Sequence, residues 1–341
     1  MEERVVTVVY PIIKNPTGNR RYAERILKGL NEAGFRHREV GIRKIEISLR
    51  GKPFGGIISQ YLGLKMKSLS LANSHPIHSL VPELTPKNGD IVTLHDILPF
   101  IQSAKFMTGS YDRKSYNLMY GNALNARMLI SSTQFGKEEL MRELKIEEER
   151  IAVVYESIDH SKFYPDGNNP YPHDGKIHLV TVGDFNPRKR FDLLFKIVSR
   201  NRDMTLYHIG PVNSWKERAE MLREMASKAG NIRLLGAVDD ETLRRYISNA
   251  DAFVYISDGE GFGLPPIEAL ACGTNVVVND LPVFRETIGG IATISDIENF
   301  EEAVLRALNN KKSREELVNF SKKYSLKNEI DSLIKLYNEF L

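Results

Sequence analysis

Cysteine is nearly absent from this chain: one, Cys272, in 341 residues. A lone thiol excludes an intrachain disulfide framework and any cysteine-rich metal centre, and it fits a reducing, intracellular setting. Standing between Ala271 and Gly273 in an apolar stretch, it reads as a small packing residue. Long apolar runs are also missing, and no segment approaches the length of a membrane span. The opening EERVVTVVYPIIK puts acidic residues ahead of its apolar run, which Pro11 and Lys14 then interrupt, unlike a secretory signal. A cytoplasmic protein is expected, with peripheral contact at the inner face of a membrane left open. Net charge is slight, formally +3, so a strongly basic nucleic-acid face is not expected. The charge is uneven, however. Met1–Pro165 holds 24 Lys/Arg against 18 Asp/Glu, and the remainder 23 against 26. A basic first half suits an anionic acceptor or an acidic membrane surface. The first strand-like run leads into PIIKNPTGNRRYAE, which lacks G-x-G-x-x-G and so argues against a nicotinamide oxidoreductase. No clustered His/Cys set or DxD-type pair stands out, so no metal site is assigned.

What is present is a repeated alternation. At 341 residues, two domains of roughly 150 residues each are the better expectation. Val5–Tyr10, Ile91–Leu94, Met128–Ser132 and Ile151–Tyr155 are short apolar runs of the kind found in strands buried on both faces. Tyr22–Leu30 and Gln134–Leu144 have helical spacing between them. The proline- and glycine-bearing stretch Ser161–Gly175 then reads as a linker. A second series follows, with strands at Ile177–Val182, Met204–Ile209, Ile232–Leu235, Ala252–Ile256 and Asn275–Val278. Helices at Phe191–Val198, Lys216–Ala229 and Glu241–Ser248 separate them. Strand alternating with helix is the pattern of a parallel sheet wound on both sides.

The segment Ser257–Gly273, SDGEGFGLPPIEALACG, is the most informative. It joins a strand-like run to an apolar helix opened by Pro265 and Pro266, residues tolerated in a first helical turn. Four free N–H groups of that turn and the helix dipole would form an anion site. Gly261 and Gly263 let backbone approach a ligand. Glu260 lies on the loop and Glu268 within the helix, so positive dipole for a phosphate and carboxylates for hydroxyls would meet in one pocket. That combination suits a nucleotide sugar.

Glu260-x7-Glu268 within EGFGLPPIEALACG resembles the signature of the family 4 retaining glycosyltransferases, the group 1 glycosyltransferases of GT-B fold. The likeness extends upstream through Asn231–Ser257 and downstream through Gly273–Gly290. It implies an α/β protein of two Rossmann-like doubly wound domains facing across a cleft. The first would be an acceptor domain over residues 1–165 and the second a donor domain over 166–325, with 326–341 a helix packing back on the first. It implies that Glu260 meets the donor sugar's hydroxyls and Glu268 the ribose hydroxyls, with Gly261, Phe262, Gly263 and Leu264 lining the site. GDFNPRKRFDLL (Gly183–Leu194) resembles the family's diphosphate loop. Lys189 matches its lysine, Asp184 stands where the family has arginine, and Arg188 is offered as the substitute because guanidinium binds phosphate through a bidentate fork.

VTLHDILPF (Val92–Phe100) resembles the family's strand-end His-Asp pair. His95 is thereby the acceptor-side or sugar-contacting residue, and Asp96 is expected to hold its loop or ring. Gly18 is the one glycine where the family usually has two adjacent ones facing the phosphates; it can also be a plain helix start. VVYESID (Val153–Asp159) matches the family's VxxNGVD with Glu156 and Ser157 in place of Asn and Gly, so no ligand contact is assigned there. The catalytic set is then Glu260, His95, Lys189 and Arg188, without a metal or other cofactor. The implied reaction is retaining transfer of a hexose from a nucleotide diphosphate sugar to a saccharide or lipid-linked acceptor. Mannose from GDP-mannose is favoured and glucose from UDP-glucose is next. A trehalose- or sucrose-type synthase is the nearest alternative, and a non-catalytic sugar-nucleotide-binding protein the alternative from another class. Gly55–Ala72, with Lys65 and Lys67 and no acid, suits a membrane interface as well as a helix packed on its own domain.

Overall fold

Short β-branched runs alternate with amphipathic helices twice along the chain, and each alternation closes into its own parallel sheet in the computed structural model. The structure describes residues 5–12, 18–43, 47–49, 52–54, 71, 76–87, 89–96, 120–213 and 215–341. The expected interfacial stretch at 55–72, apart from Leu71, lies outside the described residues, as do the residues just before Gly18 and the 97–100 end of the His95 motif. The chain divides into one unit of Met1–Ser157 with Leu326–Leu341 and a second of Ile158–Ser325.

In the first unit the strands are β1 (Val6–Ile12), β2 (His37–Arg43), β5 (Ile77–Ser79), β6 (Ile91–Leu94), β7 (Met128–Ser131) and β8 (Ile151–Val153), and the short β3 (Ile47–Leu49) and β4 (Lys52–Phe54) pair separately. The sheet runs β2-β1-β5-β6-β7-β8, with every neighbouring pair parallel. Alternate residues of β1 serve opposite faces, as a strand's twofold repeat requires. Val6 and Val8 pack with helix α1 (Gly18–Glu32) and the C-terminal helix, whereas Val9 packs with Val40, Ile42 and Ile77 on the other side. Helix α2 (Gln134–Leu144) is opened by Thr133, whose hydroxyl accepts from the Gly136 N–H at 2.9 Å.

The second unit contains β9 (Ile177–Val182), α3 (Phe191–Ser199), β10 (Met204–Ile209), α4 (Lys216–Ala229), β11 (Ile232–Gly236) and α5 (Asp240–Asn249). There follow β12 (Ala252–Tyr255), α6 (Leu264–Ala271), β13 (Val276–Asn279), α7 (Pro282–Ile288), β14 (Thr293–Ser295), α8 (Phe300–Asn309) and α9 (Arg314–Ser321). Its sheet is parallel throughout, in the order β11-β10-β9-β12-β13-β14. Leu179, Leu206, Val254 and Val277 from the strands share one core with Phe191, Phe195, Leu222, Phe300 and Val304 from the helices.

The last helix, α10 (Leu326–Asn338), belongs to the first unit: Ile330, Leu333, Leu336 and Tyr337 pack with Tyr22, Ala23, Ile26 and Leu30 of α1. The stretch at 161–175 differs from a free linker. It carries neither helix nor strand, yet it is tied to the second unit, and the division falls between Ser157 and Ile158 instead of at 165/166. Asp166 and Asn169 each accept a backbone N–H two residues on, at 2.9 Å, which curls the strap locally. Arg244 pairs with Asp166 at 3.1 Å, and the Tyr171 hydroxyl donates to the Tyr246 carbonyl at 2.6 Å. Prolines and Asx turns mark irregular chain; they do not say whether that chain is packed.

Candidate functional site

Strand order locates the site of the second unit. Beginning at β9, the chain lays β10 and β11 to one side and then returns to lay β12, β13 and β14 to the other. Loops leaving the carboxyl ends of β9 and β12 therefore diverge, and such a switch point is where open parallel sheets bind ligands. The two loops that leave there are residues 183–190 and 256–263, the segments that carry the motifs.

They are bonded to each other. The Asp258 N–H donates to the Arg188 carbonyl at 2.7 Å. Arg188 Nη1 donates to the Gly259 carbonyl at 2.9 Å and to Glu260 Oε2 at 2.8 Å. The other oxygen of Glu260 accepts from the Tyr255 hydroxyl at 2.8 Å. Burial, followed by the charge of Glu260, raises the Tyr255 hydroxyl well above its ordinary pKa, so it remains a donor. Arg190 continues the lattice, reaching Asp258 at 3.0 Å and Asp192 at 3.2 Å, and Arg218 meets the same Asp192 at 2.5 Å. Although burial acts against it, those two guanidiniums hold the Asp192 carboxyl below its ordinary value. A reciprocal amide contact fixes the end of β12 to β13: the Ser257 N–H donates to Asn279 Oδ1 and Asn279 Nδ2 donates to the Ser257 carbonyl, both at 2.9 Å.

Lys189 lies back over the end of β9. A Cβ at Gly183, whose φ is +154°, would fall 2.6 Å from Lys189 Nζ, so only glycine permits this fold of the lysine. Asp184 lies 3.7 Å from Lys189 Nζ, which makes it a counter-ion to the lysine at the position where an arginine was expected. On the facing loop, Gly263 at φ +88° starts α6, and a Cβ there would meet Phe284 at 2.8 Å.

Two expectations change. The first turn of α6 cannot offer four N–H groups: Leu264 is its first residue, and Pro265 and Pro266 carry none, leaving the amides of Gly263 and Leu264. The N-cap residue, Gly263, has no side chain with which to cap that turn. Phe262 is a core residue, 3% exposed, with its ring edge-on to Tyr324 at 5.1 Å between centroids. Gly18 opens α1 at the surface, the helix start that was one of its two readings, and among the described residues a Cβ there would meet nothing within 4 Å. Glu268 is half-buried as the fifth residue of α6, and Gly261 lies on the loop between the two acids. Cys272 is buried and its thiol is pushed up to about 12, as a packing residue requires.

In the first unit, His95 follows β6 with its ring between Glu156 and the Leu80 carbonyl, each at 3.0 Å. The ring nitrogens are therefore held by Glu156 and the Leu80 carbonyl. The substitution of Glu for Asn was the available signal, and sequence reasoning passed over it. Ser157 next to it donates from both N–H and hydroxyl to Glu329 of α10, at 3.0 and 2.5 Å. Among the described residues no group of three or more His, Cys, Asp or Glu could hold a metal ion, and no helix is long and apolar enough to cross a membrane.

Residues 168–324 match the family model described as glycosyl transferases group 1. The O-antigen chain mannosyltransferase RfbU of Salmonella typhimurium is 28% identical over 214 residues, 62% of this chain and 57% of that protein. The chain thus spans little more than half the length of this curated relative. Sucrose-phosphate synthase from Thermosynechococcus elongatus superposes with a TM-score of 0.78 at 16% identity, covering 99% of each chain. HepE from Anabaena, in complex with UDP and glucose, gives 0.73 at 13% identity over 98% of this chain and 99% of its own. These likenesses establish the fold.

Proposed function

From the match of residues 168–324 to the group 1 glycosyl transferases, we propose that this chain is an enzyme moving a hexose from a nucleotide diphosphate sugar to a saccharide or lipid-linked acceptor, with retention at the anomeric carbon. One observation carries the reading. At the switch point of the second sheet, Lys189 and Glu260 stand on two loops tied together through Arg188. A cation for a phosphate and a carboxylate for hydroxyls on adjoining loops suit a ligand that has both groups.

The transition state of such a transfer resembles an oxocarbenium ion leaving a diphosphate, so the chemistry depends on stabilising the departing charge and holding the acceptor hydroxyl. Lys189 and the amides of Gly263 and Leu264 neutralise the diphosphate. Glu260, fixed by Arg188 and Tyr255, orients sugar hydroxyls through its remaining lone pairs, and Glu268 takes the ribose hydroxyls. Arg188 acts mainly by holding Glu260. His95 keeps the acceptor-side or sugar-contacting role that the family resemblance implies. This reading needs no divalent ion, so adding a chelator should leave turnover unchanged, and strong inhibition would overturn it. The name of the Salmonella relative supports mannose as the sugar, and the UDP and glucose held by HepE put UDP-glucose next.

A panel of sugar nucleotides assayed for nucleotide release, with saccharides, sugar phosphates and lipid phosphates as acceptors, tests this. Release should require one hexose donor and rise with its acceptor. Lys189→Ala and Glu260→Ala should each lower it on the order of 100-fold or more. Full turnover in both variants removes the site assignment, and tight donor binding without release under any acceptor leaves a binding protein.

A further inference from the structure

Both nitrogens of the His95 ring face acceptors. Nε2 lies 3.0 Å from the Leu80 carbonyl, which can only accept, so Nε2 carries a proton. Nδ1 lies 3.0 Å from Glu156 Oε1. Ordinary acidities place the shared proton on an imidazole and not on a carboxyl, so Nδ1 carries one as well. Tyr22 of α1 closes the ring's side edge-on, with centroids 4.4 Å apart. Behind it run Thr93, 3.5 Å from the Tyr22 hydroxyl, then His78 at 2.9 Å from Thr93 and Tyr337 at 2.6 Å from His78. The ring is thus braced on three sides.

We propose that Glu156 is a positioning residue that holds the His95 ring in one plane as an imidazolium, so that His95 acts on a hydroxyl-rich or anionic ligand as a fixed cation and not as a general base. The identity of that ligand rests on the glycosyl-transfer reading; the state of the ring does not.

The other groups around the ring fit. Burial opposes its charge, but the Glu156 carboxylate, the Leu80 carbonyl and Glu83 together outweigh burial and raise the ring above its ordinary pKa. His78, the other histidine in the cluster, is pushed down to about 3 by burial and by His95, so it stays neutral and does not compete. Glu83 from the turn at 82–84 is raised by burial, Asp96 follows in the chain, and the Arg25 guanidinium lies over the Tyr22 ring at 5.7 Å. Among the described residues, the carboxylate hydrogen-bonded to the ring is that of Glu156.

Nuclear magnetic resonance titration of ring-labelled histidine, with His95 assigned by its loss in His95→Gln, reads the state directly. The wild-type midpoint should lie above an ordinary histidine's. Glu156→Gln should lower it by about one pH unit or more, a tenfold change in proton affinity, and Glu156→Asp should restore part of the difference. In the nucleotide-release assay the alkaline limb of kcat should move to lower pH in Glu156→Gln, with KM changing less. An unchanged midpoint in Glu156→Gln, or a wild-type midpoint at or below the ordinary value, overturns the proposal. Thermal unfolding of each variant identifies a folding failure, in which case Glu156→Asp carries the comparison. If the wild type releases nucleotide from no donor, the transfer reading fails while the titration still decides the role of Glu156.

Discussion

Lys189 and Gly183 depend on each other, because the lysine lies where a side chain at 183 would stand. Gly183→Ala should therefore displace the lysine as well as strain the backbone, an effect of order 1–3 kcal/mol for a residue held in a conformation that favours glycine. Calorimetric titration with GDP and UDP should show weakened affinity together with a lower Tm, and unchanged affinity would contradict the described seat of Lys189. At this scale the motif residues were legible because spacing carries them: Glu260 and Glu268 share one segment, and Lys189 follows its strand at a fixed distance. Their partners were not. Arg190 with Asp258, and His95 with Glu156, are far apart in the chain and meet only once the strands are ordered. Nor does anything in a basic loop show that Arg188, read there as a phosphate ligand, also meets a carboxylate on another loop.

The clearest case at the level of elements is α10. Its apolar stripe replaces solvent over α1, and a Cβ at Gly29 would overlap the Ile330 side chain, so the two helices pack at close range. Leu333 is fully buried there, and Leu333→Ala should cost about 2–5 kcal/mol in chemical denaturation. A loss under 1 kcal/mol would contradict the packing. Glu329 adds a pH dependence. Burial outweighs Arg25 and the Ser157 donors and pushes its carboxyl up to about 7, above its ordinary 4.5. The folded state then holds this proton more tightly than the unfolded chain, so the group favours folding below about 4.5 and loses that contribution as pH rises through about 7. Glu329→Gln should flatten the decline of Tm across that window, and an unaltered slope would refute the assignment. Elements buried on both faces, such as β9 and β10, were readable from unbroken apolar runs. Among the described residues the edge strand β2, HREVGIR, pairs with β1 alone and keeps polar residues, and β5 is three residues long with His78 at its centre. Neither presents the periodicity that marks a strand.

At the scale of the whole molecule, the described residues form two six-stranded parallel sheets of different order, and the second supplies the switch point from which the donor-binding account follows. Its strands diverge between β9 and β12, and the motifs occupy the two loops that leave there. The claim is therefore positional, and hydrogen–deuterium exchange in the presence of GDP or UDP tests it most directly. The account predicts slowed exchange in 183–190 and 258–264 together, lost in Lys189→Ala. Protection confined to other segments, or protection of these loops that survives Lys189→Ala unchanged, would contradict it.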